Sequence, residues 1–458
     1  MSRLTTRNAL LALAGAAAIV AGAGLLALPG SEEWTTSSPE AMAEFAAAME
    51  ASQKLYYQEA RSHLEKALEL DPDFVVAKVK MAESCRYDDA ERSNALLEQA
   101  LQTDLGRLTA RERFIVERAA LLEDLKFDEA NKHLDAYIQE HPNDPYVLHI
   151  KALQAWQKGE LETAERLNKR LLEISPNWVL AYNQLGYITM MQGRFAEAEE
   201  YFTSYRFIAP DQANPHDSLG ELFILLGRFG EAEESLLEAL DNKPDFMAAF
   251  EHLSLLEALR QDWDAANEWL QRGVEAGAID DEYRTSQECA LRFWRLAEDR
   301  DWSQILELAE GPCQPEDRKN IQAAVYLHNA ACHLGKAELA LSLESAIEKE
   351  IEQAGPGQSS KVFEVLAPML HHMRGIRLAI VEKDLEAATN ALQTADEYLT
   401  YINSGVGLFK LSNRLVLAAV LRDRGLEGRA HDLISEVRVV NPEVVEHWEH
   451  TWAPESNR

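Results

Sequence analysis

The sequence predicts an all-α chain, an α-solenoid of stacked antiparallel helical hairpins preceded by one N-terminal transmembrane helix. Three observations predict it. Pro142, Pro176, Pro210 and Pro244 recur at 34-residue intervals, each closing an acidic, Ala/Leu-rich stretch. Placing each proline at position 32 of its unit brings further residue types into register. Ala9 to Leu28 form 20 positions without a charge. One hairpin of this size cannot bury its own apolar face, whereas stacked hairpins share a continuous core, so the interval itself implies an architecture. No stretch alternates with a two-residue period over β-branched residues, and no strand is expected.

Residues 1–8, with Arg3 and Arg7, read as a cytoplasmic N-terminus, and residues 9–28 as a transmembrane signal-anchor. A helix of 20 residues is about 30 Å long, matching the bilayer core. Arginines before it hold the N-terminus in the cytoplasm and direct the bulk of the chain outside. The competing reading is a cleaved secretory signal, because the segment is Ala/Gly-rich and follows basic residues. Against cleavage, the apolar run exceeds the usual length of about 7–15 residues, and Ala27-Leu28-Pro29-Gly30 lacks a small-x-small site. In a Gram-negative cell either reading would lead to the periplasm, as a single-pass inner-membrane protein or as a soluble secreted adaptor. Residues 29–38 read as a linker.

Residues 39–280 read as a repeat array of about seven units. Unit 179–212 carries Tyr182, Leu185, Gly186, Gly193, Ala198, Phe202 and Pro210; unit 213–246 carries His216, Leu219, Gly220, Gly227, Ala232, Leu236 and Pro244 in the same register. Gly186 and Gly220, answered by Ala198 and Ala232, fall where two antiparallel helices need small side chains to approach. Gly193 and Gly227 fall where the first helix ends, a place for the left-handed conformation. The prolines follow the second helix, where a missing N–H does no harm.

This pattern resembles the tetratricopeptide repeat family, whose Trp, Leu-Gly, Tyr, Ala, Phe and Pro signature is matched best in 179–246. The match dilutes outward. Unit 145–178 keeps Gly159, Ala164 and Pro176 but has Ala152 for the glycine; unit 111–144 keeps Ala130, Leu134, Tyr137 and Pro142. Upstream, Tyr56, Ala60, Leu64, Ala67 and Pro72 fit a first repeat, 75–108 is irregular, and 247–280 keeps Phe250, Leu253, Ala266 and Leu270. The strings TTSSPEA, LTARERF and PDQANPHDSLGE are similar to bacterial arrays found beside signalling and regulatory modules. Such a resemblance implies a fold and a protein-binding role, and it carries no catalytic residue into the chain.

Residues 281–442 read as divergent helical repeats, with hairpins centred on 283–310, 318–354, 361–402 and 406–440, and residues 443–458 as a C-terminal tail. Gly425, Ala430, Ile434, Val437 and Pro442 return to repeat register in the last of them. Gly/Pro breaks at 310–317 and 353–360 punctuate this half. Loss of the period leaves a second reading, in which 281–458 is a distinct ligand-binding or enzymatic helical domain.

The net charge of −32, from 77 acidic and 45 basic residues, is spread along the helices. That argues against nucleic acid, since neutralising phosphates needs clustered Lys and Arg. Solubility accounts for an acidic helical surface, and tuning toward a basic partner is the alternative. Of the four cysteines, Cys85 falls at an inward repeat position and reads as a buried thiol. Cys289 and Cys313 could bridge adjacent helices in an exported chain, and the state of Cys332 is left open.

Catalytic motifs are absent from the sequence: no His-Glu-x-x-His, no Gly-x-Ser-x-Gly, no phosphate-binding Gly-rich loop and no kinase signature. No catalytic residue, metal ligand or cofactor is assigned. His371-His372 and the pair His447 and His450 are the nearest to metal ligands, but no third ligand is identifiable. Function is expected on the concave face lined by the first helix of each hairpin. By family register this face takes Tyr146, His149 and Trp156; Asn183, Tyr187 and Met191; Asn214, Asp217 and Glu221; and Glu251. Rings, amides and carboxylates there would suit an extended or helical peptide, neutral or basic. The alternative is that several of these residues pack between helices, above all Trp156 and Met191.

Overall fold

A computed structural model describes residues 34–86, 88–311, 313, 321–353 and 359–448. The segments read as cytoplasmic N-terminus and signal-anchor, the start of the linker, parts of both Gly/Pro breaks, and the end of the tail with His450 lie outside the described residues. Among those described, the regular structure is all helical. The helices are α1 (Pro39–Gln53), α2 (Tyr57–Leu70), α3 (Val75–Cys85), α4 (Ala90–Leu101), α5 (Ala110–Glu123), α6 (Phe127–Glu140), α7 (Pro145–Gln157), α8 (Leu161–Ile174) and α9 (Val179–Met191). They continue as α10 (Phe195–Ile208), α11 (Ala213–Leu225), α12 (Phe229–Asn242), α13 (Met247–Leu259), α14 (Trp263–Glu275), α15 (Asp281–Glu298), α16 (Trp302–Glu310), α17 (Ile321–His333) and α18 (Ala337–Gln353). The series ends with α19 (Ser359–Arg377), α20 (Leu385–Tyr398), α21 (Ser404–Asp423), α22 (Glu427–Val440) and α23 (Pro442–Trp448). Contacts divide the chain into two compact units, one reaching to Leu185 and one running from Gly186. The division falls inside α9, whereas the sequence period fades only after residue 280.

In the N-terminal unit, part of the expected linker is packed. Trp34 is buried against Phe45, with ring centroids 5.5 Å apart, and Phe45 meets Phe74 at 4.8 Å. Thr35 donates its backbone N–H and hydroxyl to Glu112 Oε1 at 2.7 and 2.9 Å. Glu112 is fully buried and also completes a capping box with Thr109, so its charge is held by several donors.

Hairpin geometry follows from small residues and from one special turn. A Cβ on Gly186 would stand 2.3 Å from the Phe202 ring, and one on Gly220 would stand 2.6 Å from Leu236 Cγ. The paired helices therefore approach closer than any other side chain allows. At the turn between first and second helix, Gly193 and Gly227 have φ of 73° and 71°. The same left-handed turn is filled by Leu55, Leu125, Gln261, Arg300 and Lys383, with φ from 56° to 64°, which costs each about 1–2 kcal/mol. Glycine is absent there because the turn requires a conformation and tolerates a strained residue.

The C-terminal unit continues through helical pairs and then folds back. Cys289 on α15 is bonded to Cys313 beyond α16, while Cys85 and Cys332 are buried thiols. Among the described helices, α21 alone is long and apolar enough to cross a membrane, with a mean hydropathy of 1.3, yet 83% of that stretch is buried inside the protein. It is a core helix that packs on α11, far back in the array. Asn441 completes the return: its amide nitrogen donates to the carbonyls of Ile224 and Leu225 at 3.3 and 3.0 Å, and its oxygen accepts from Val444 N at 3.1 Å. One fully buried side chain thus caps the end of α11 and the start of α23. From α23, Trp448 reaches Trp294 at 5.9 Å and donates to Glu298 at 3.2 Å, so residues 443–448 of the expected tail are packed.

Two substitutions test this account with opposite signs. Gly186→Ala is expected to cost about 1–3 kcal/mol through overpacking against Phe202. Leu125→Gly, at a site 71% exposed, is expected to add about 0.5–1 kcal/mol by relieving the left-handed turn. Urea unfolding of the full chain checks both, and a loss of stability in Leu125→Gly would contradict the strain argument.

Candidate functional site

Helix α11 sits where the inner face of the array was expected, and every residue from Ala213 to Leu225 is buried. Its polar residues are therefore satisfied by protein. His216 meets Glu238 at 2.7 Å and the Pro210 carbonyl at 2.9 Å, and Asn214 donates to the Tyr205 hydroxyl at 3.3 Å. Asp217 and Glu221, one turn apart on one face, converge with residues of α9, α13 and α21.

Glu221 is the centre of that convergence. Its Oε2 accepts from the Tyr187 hydroxyl at 2.8 Å, and its Oε1 accepts the Ser404 backbone N–H at 2.9 Å and hydroxyl at 3.3 Å. Ser404 lies 183 residues further along the chain and is the first residue of α21. A free amide at a helix start carries partial positive charge, so a buried carboxylate is a fitting acceptor. His252 on α13 lies between the acids: Nδ1 donates to Asp217 Oδ1 at 2.8 Å, and Nε2 stands 3.6 Å from Glu221 Oε1. Tyr187 also meets Ser218 Oγ at 3.4 Å, and Glu251 accepts from the Tyr283 hydroxyl.

Burial and charge compete at each group. Burial alone would lower the His252 imidazole, yet Asp217 and Glu221 hold it well above its ordinary value. Burial pushes the Glu221 carboxyl upward, but His252, the Ser404 N–H and Tyr187 together bring it below the usual range. For Asp217 burial wins over His252 and the carboxyl rises; for Glu251 burial outweighs the Tyr283 hydrogen bond, with the same result. The raised His252 imidazole and the lowered Glu221 carboxyl thus favour each other's charged forms, in contact with a helix N-terminus.

The residues expected on the concave face are distributed unevenly. Tyr187, Asp217 and Glu221 meet in this cluster, and Glu251 adjoins His252 in sequence on α13. Tyr146 is buried and receives a hydrogen bond from buried Lys80 at 3.2 Å, while His149 is fully buried with its ring 5.9 Å from that of Trp178. Trp156, Asn183 and Met191 are half-buried, and Asn214 is buried against Tyr205. Sequence reasoning missed His252, Tyr283, Ser404 and Asn441. His252 stands 35 residues after Asp217, one repeat and one residue on, and comparison of consecutive repeats would have placed it near; nothing local marks Ser404.

A second buried cluster has a catalytic look and lacks catalytic access. His328 Nε2 stands 3.0 Å from Glu344 Oε1, and Cys332 Sγ lies 3.7 Å from His328 Nδ1. Burial, reinforced by Glu344, pushes the Cys332 thiol up to about 12, which keeps it protonated and inert. His372 is buried, pushed down to about 4, and bonded to Asn413 at 2.9 Å. It is a satisfied core histidine.

Against known proteins, residues 219–280 and 41–74 each match a model described as tetratricopeptide repeat. The chain carries tetratricopeptide repeats. No curated protein matches the chain. Among solved structures it is similar to a tetratricopeptide repeat protein from Parabacteroides merdae, at 20% identity and a TM-score of 0.38 over 55% of this chain and 91% of that one. It is also similar to MamA from Desulfovibrio magneticus, at 19% identity and a TM-score of 0.32 over 37% and 95%. For the Cut9–Hcn1 assembly of the APC/C the values are 14% and 0.46 over 92% and 79%. Tetratricopeptide repeats mediate protein–protein interaction, and their proteins bind protein or peptide partners.

The cluster predicts a pH dependence with two edges. The raised His252 value means its contribution is present below about pH 6.5 and persists until pH rises through the higher folded value, where it is lost. The lowered Glu221 value means its contribution is present above about pH 4.5 and is lost as pH falls through the folded value. Asp217 and Glu251, both raised, oppose the acid edge. His252→Gln is expected to cost about 3–5 kcal/mol at pH 7, because it strands buried carboxylates, and to remove the alkaline edge. Thermal unfolding from pH 4 to pH 10 checks it; an unchanged alkaline limb in the variant would contradict the assignment.

Proposed function

We propose that the chain is a periplasmic scaffold, tethered to the inner membrane through residues 9–28, that holds a protein or peptide partner and performs no chemistry of its own. The observation that carries this reading is the grip of Glu221 on Ser404. Inner helices of consecutive repeats already bind a polypeptide segment through buried hydrogen bonds, which is what a scaffold does with a partner. In the N-terminal unit, half-buried Trp156 and Asn183 offer ring and amide surface suited to an extended or helical peptide. A net charge of −32 and the carboxylates Asp217, Glu221 and Glu251 favour a neutral or basic partner and disfavour nucleic acid.

The bond between Cys289 and Cys313 supports an oxidising compartment. Helical pairs continuing through 281–440, together with an inert Cys332, support a binding role in that half over an enzymatic one. Loss of 27 to 31 residues from the mature N-terminus would replace the tethered form by a soluble secreted adaptor.

Affinity capture by the tagged full chain from envelope membranes is expected to recover a partner, and Trp156→Ala with Asn183→Ala to reduce recovery at least tenfold. Equal recovery would reject the groove assignment. Thiol mapping of the native protein, by alkylation before and after reduction, is expected to find Cys289 and Cys313 joined and Cys85 and Cys332 labelled only on unfolding. Free Cys289 in freshly isolated protein would remove the support for export.

A further inference from the structure

Resting on the scaffold reading, we propose that Leu399–Lys410 is an internal ligand of the repeats around α11, and that the external partner of this face has the same chemistry. That partner presents the start of an α-helix, N-terminus first, with a small residue in its first turn. Three features of the bound segment define the requirement.

The first is a helix-start amide that its own N-cap leaves for an outside acceptor. Asn403 caps α21 by accepting from Val406 N at 2.8 Å, which leaves the Ser404 N–H for Glu221. The pairing matches charge as well as geometry: His252 offsets part of the charge on Asp217 and Glu221, and the positive end of the α21 dipole faces the remainder. The second is the absence of a side chain at Gly407. A Cβ there would stand 2.7 Å from Leu225 Cδ1 and 3.1 Å from Tyr401 Cδ1, so a larger residue would push the segment off α11. The third is an aromatic anchor just before the helix: Tyr401 packs edge-on against Phe195, with centroids 5.1 Å apart. Lys410 donates to the Leu399 carbonyl at 2.8 Å and so fixes the approach to the helix from within.

A carboxylate cap, a glycine slot and a ring contact are peptide-recognition elements, and here they act between parts of one chain about 180 residues apart. A partner helix of this type competes with Leu399–Lys410 for Glu221, and the C-terminal segment moves aside as it binds.

The test uses the full chain and a fluorescent peptide of residues 399–412. Gly407→Leu in the chain displaces the internal segment while leaving Glu221 intact. The peptide is expected to bind this variant at least tenfold more tightly than wild type, by fluorescence anisotropy. Two controls isolate the cap: a peptide with Ser404→Pro, which keeps a favourable first helical residue but has no N–H, and a chain carrying Gly407→Leu with Glu221→Ala. Each is expected to lose at least tenfold. Equal binding to wild type and Gly407→Leu, no binding to either, or an undiminished Pro peptide would overturn the proposal. If Gly407→Leu loses its helical circular dichroism, Asn441→Ala, which loosens only the far anchor, must give the same order. Partner capture that depends on Trp156 and Asn183 without peptide binding rejects the internal ligand alone; peptide binding without such capture rejects the scaffold reading.

Discussion

A helix buried on every side must have each of its polar groups answered by protein, and α11 sets that constraint for the C-terminal unit. From Ala213 to Leu225 every residue is buried, yet the helix carries Asn214, His216, Asp217, Ser218 and Glu221. The second helix of its own repeat supplies Glu238, and neighbouring repeats supply Tyr205, Tyr187 and His252. They do not supply enough. Glu221 takes its last donors from Ser404, and the carbonyls ending α11 take theirs from Asn441. The fold-back of residues 399–448 is thus bound up with the electrostatics of one helix, because an uncompensated buried carboxylate costs several kcal/mol.

This departs from ideal repeat behaviour. In a simple stack each repeat touches only its neighbours, and stability adds up locally. Here α21 packs on α11, so unfolding of the C-terminal pairs should be felt at residues 213–225 as well as next door. The departure also ties function to stability. The inner face that would hold a partner is the face whose polar groups the chain already satisfies, and any ligand must replace those hydrogen bonds rather than fill an empty groove.

Much of the architecture was legible in the residues. The left-handed Gly193 and Gly227 lie at the turns as the register implied, and Gly186 and Gly220 do mark close helix approach, but the side chains packed on them are Phe202 and Leu236 where Ala198 and Ala232 were expected. Turns at Leu125 and Lys383 were less legible, since strain leaves no residue signature. For the site, Tyr187, Asp217 and Glu221 could be named from position alone, and their convergence could not. The buried state of Tyr146 follows from Lys80, an acceptor–donor pairing across 66 residues that no period records.

The sequence by itself determined the helical hairpins, their 34-residue register, the small residues that let each pair close, and the candidates for the inner face, because each is a consequence of local geometry repeated along the chain. Only the tertiary structure decided that Cys289 meets Cys313, that His252 joins two acids, and that Ser404 and Asn441 return to α11. Those pairings depend on where distant segments end up in space, and a carboxylate in a repeat looks the same in sequence whether it faces water, a partner, or the chain's own helix.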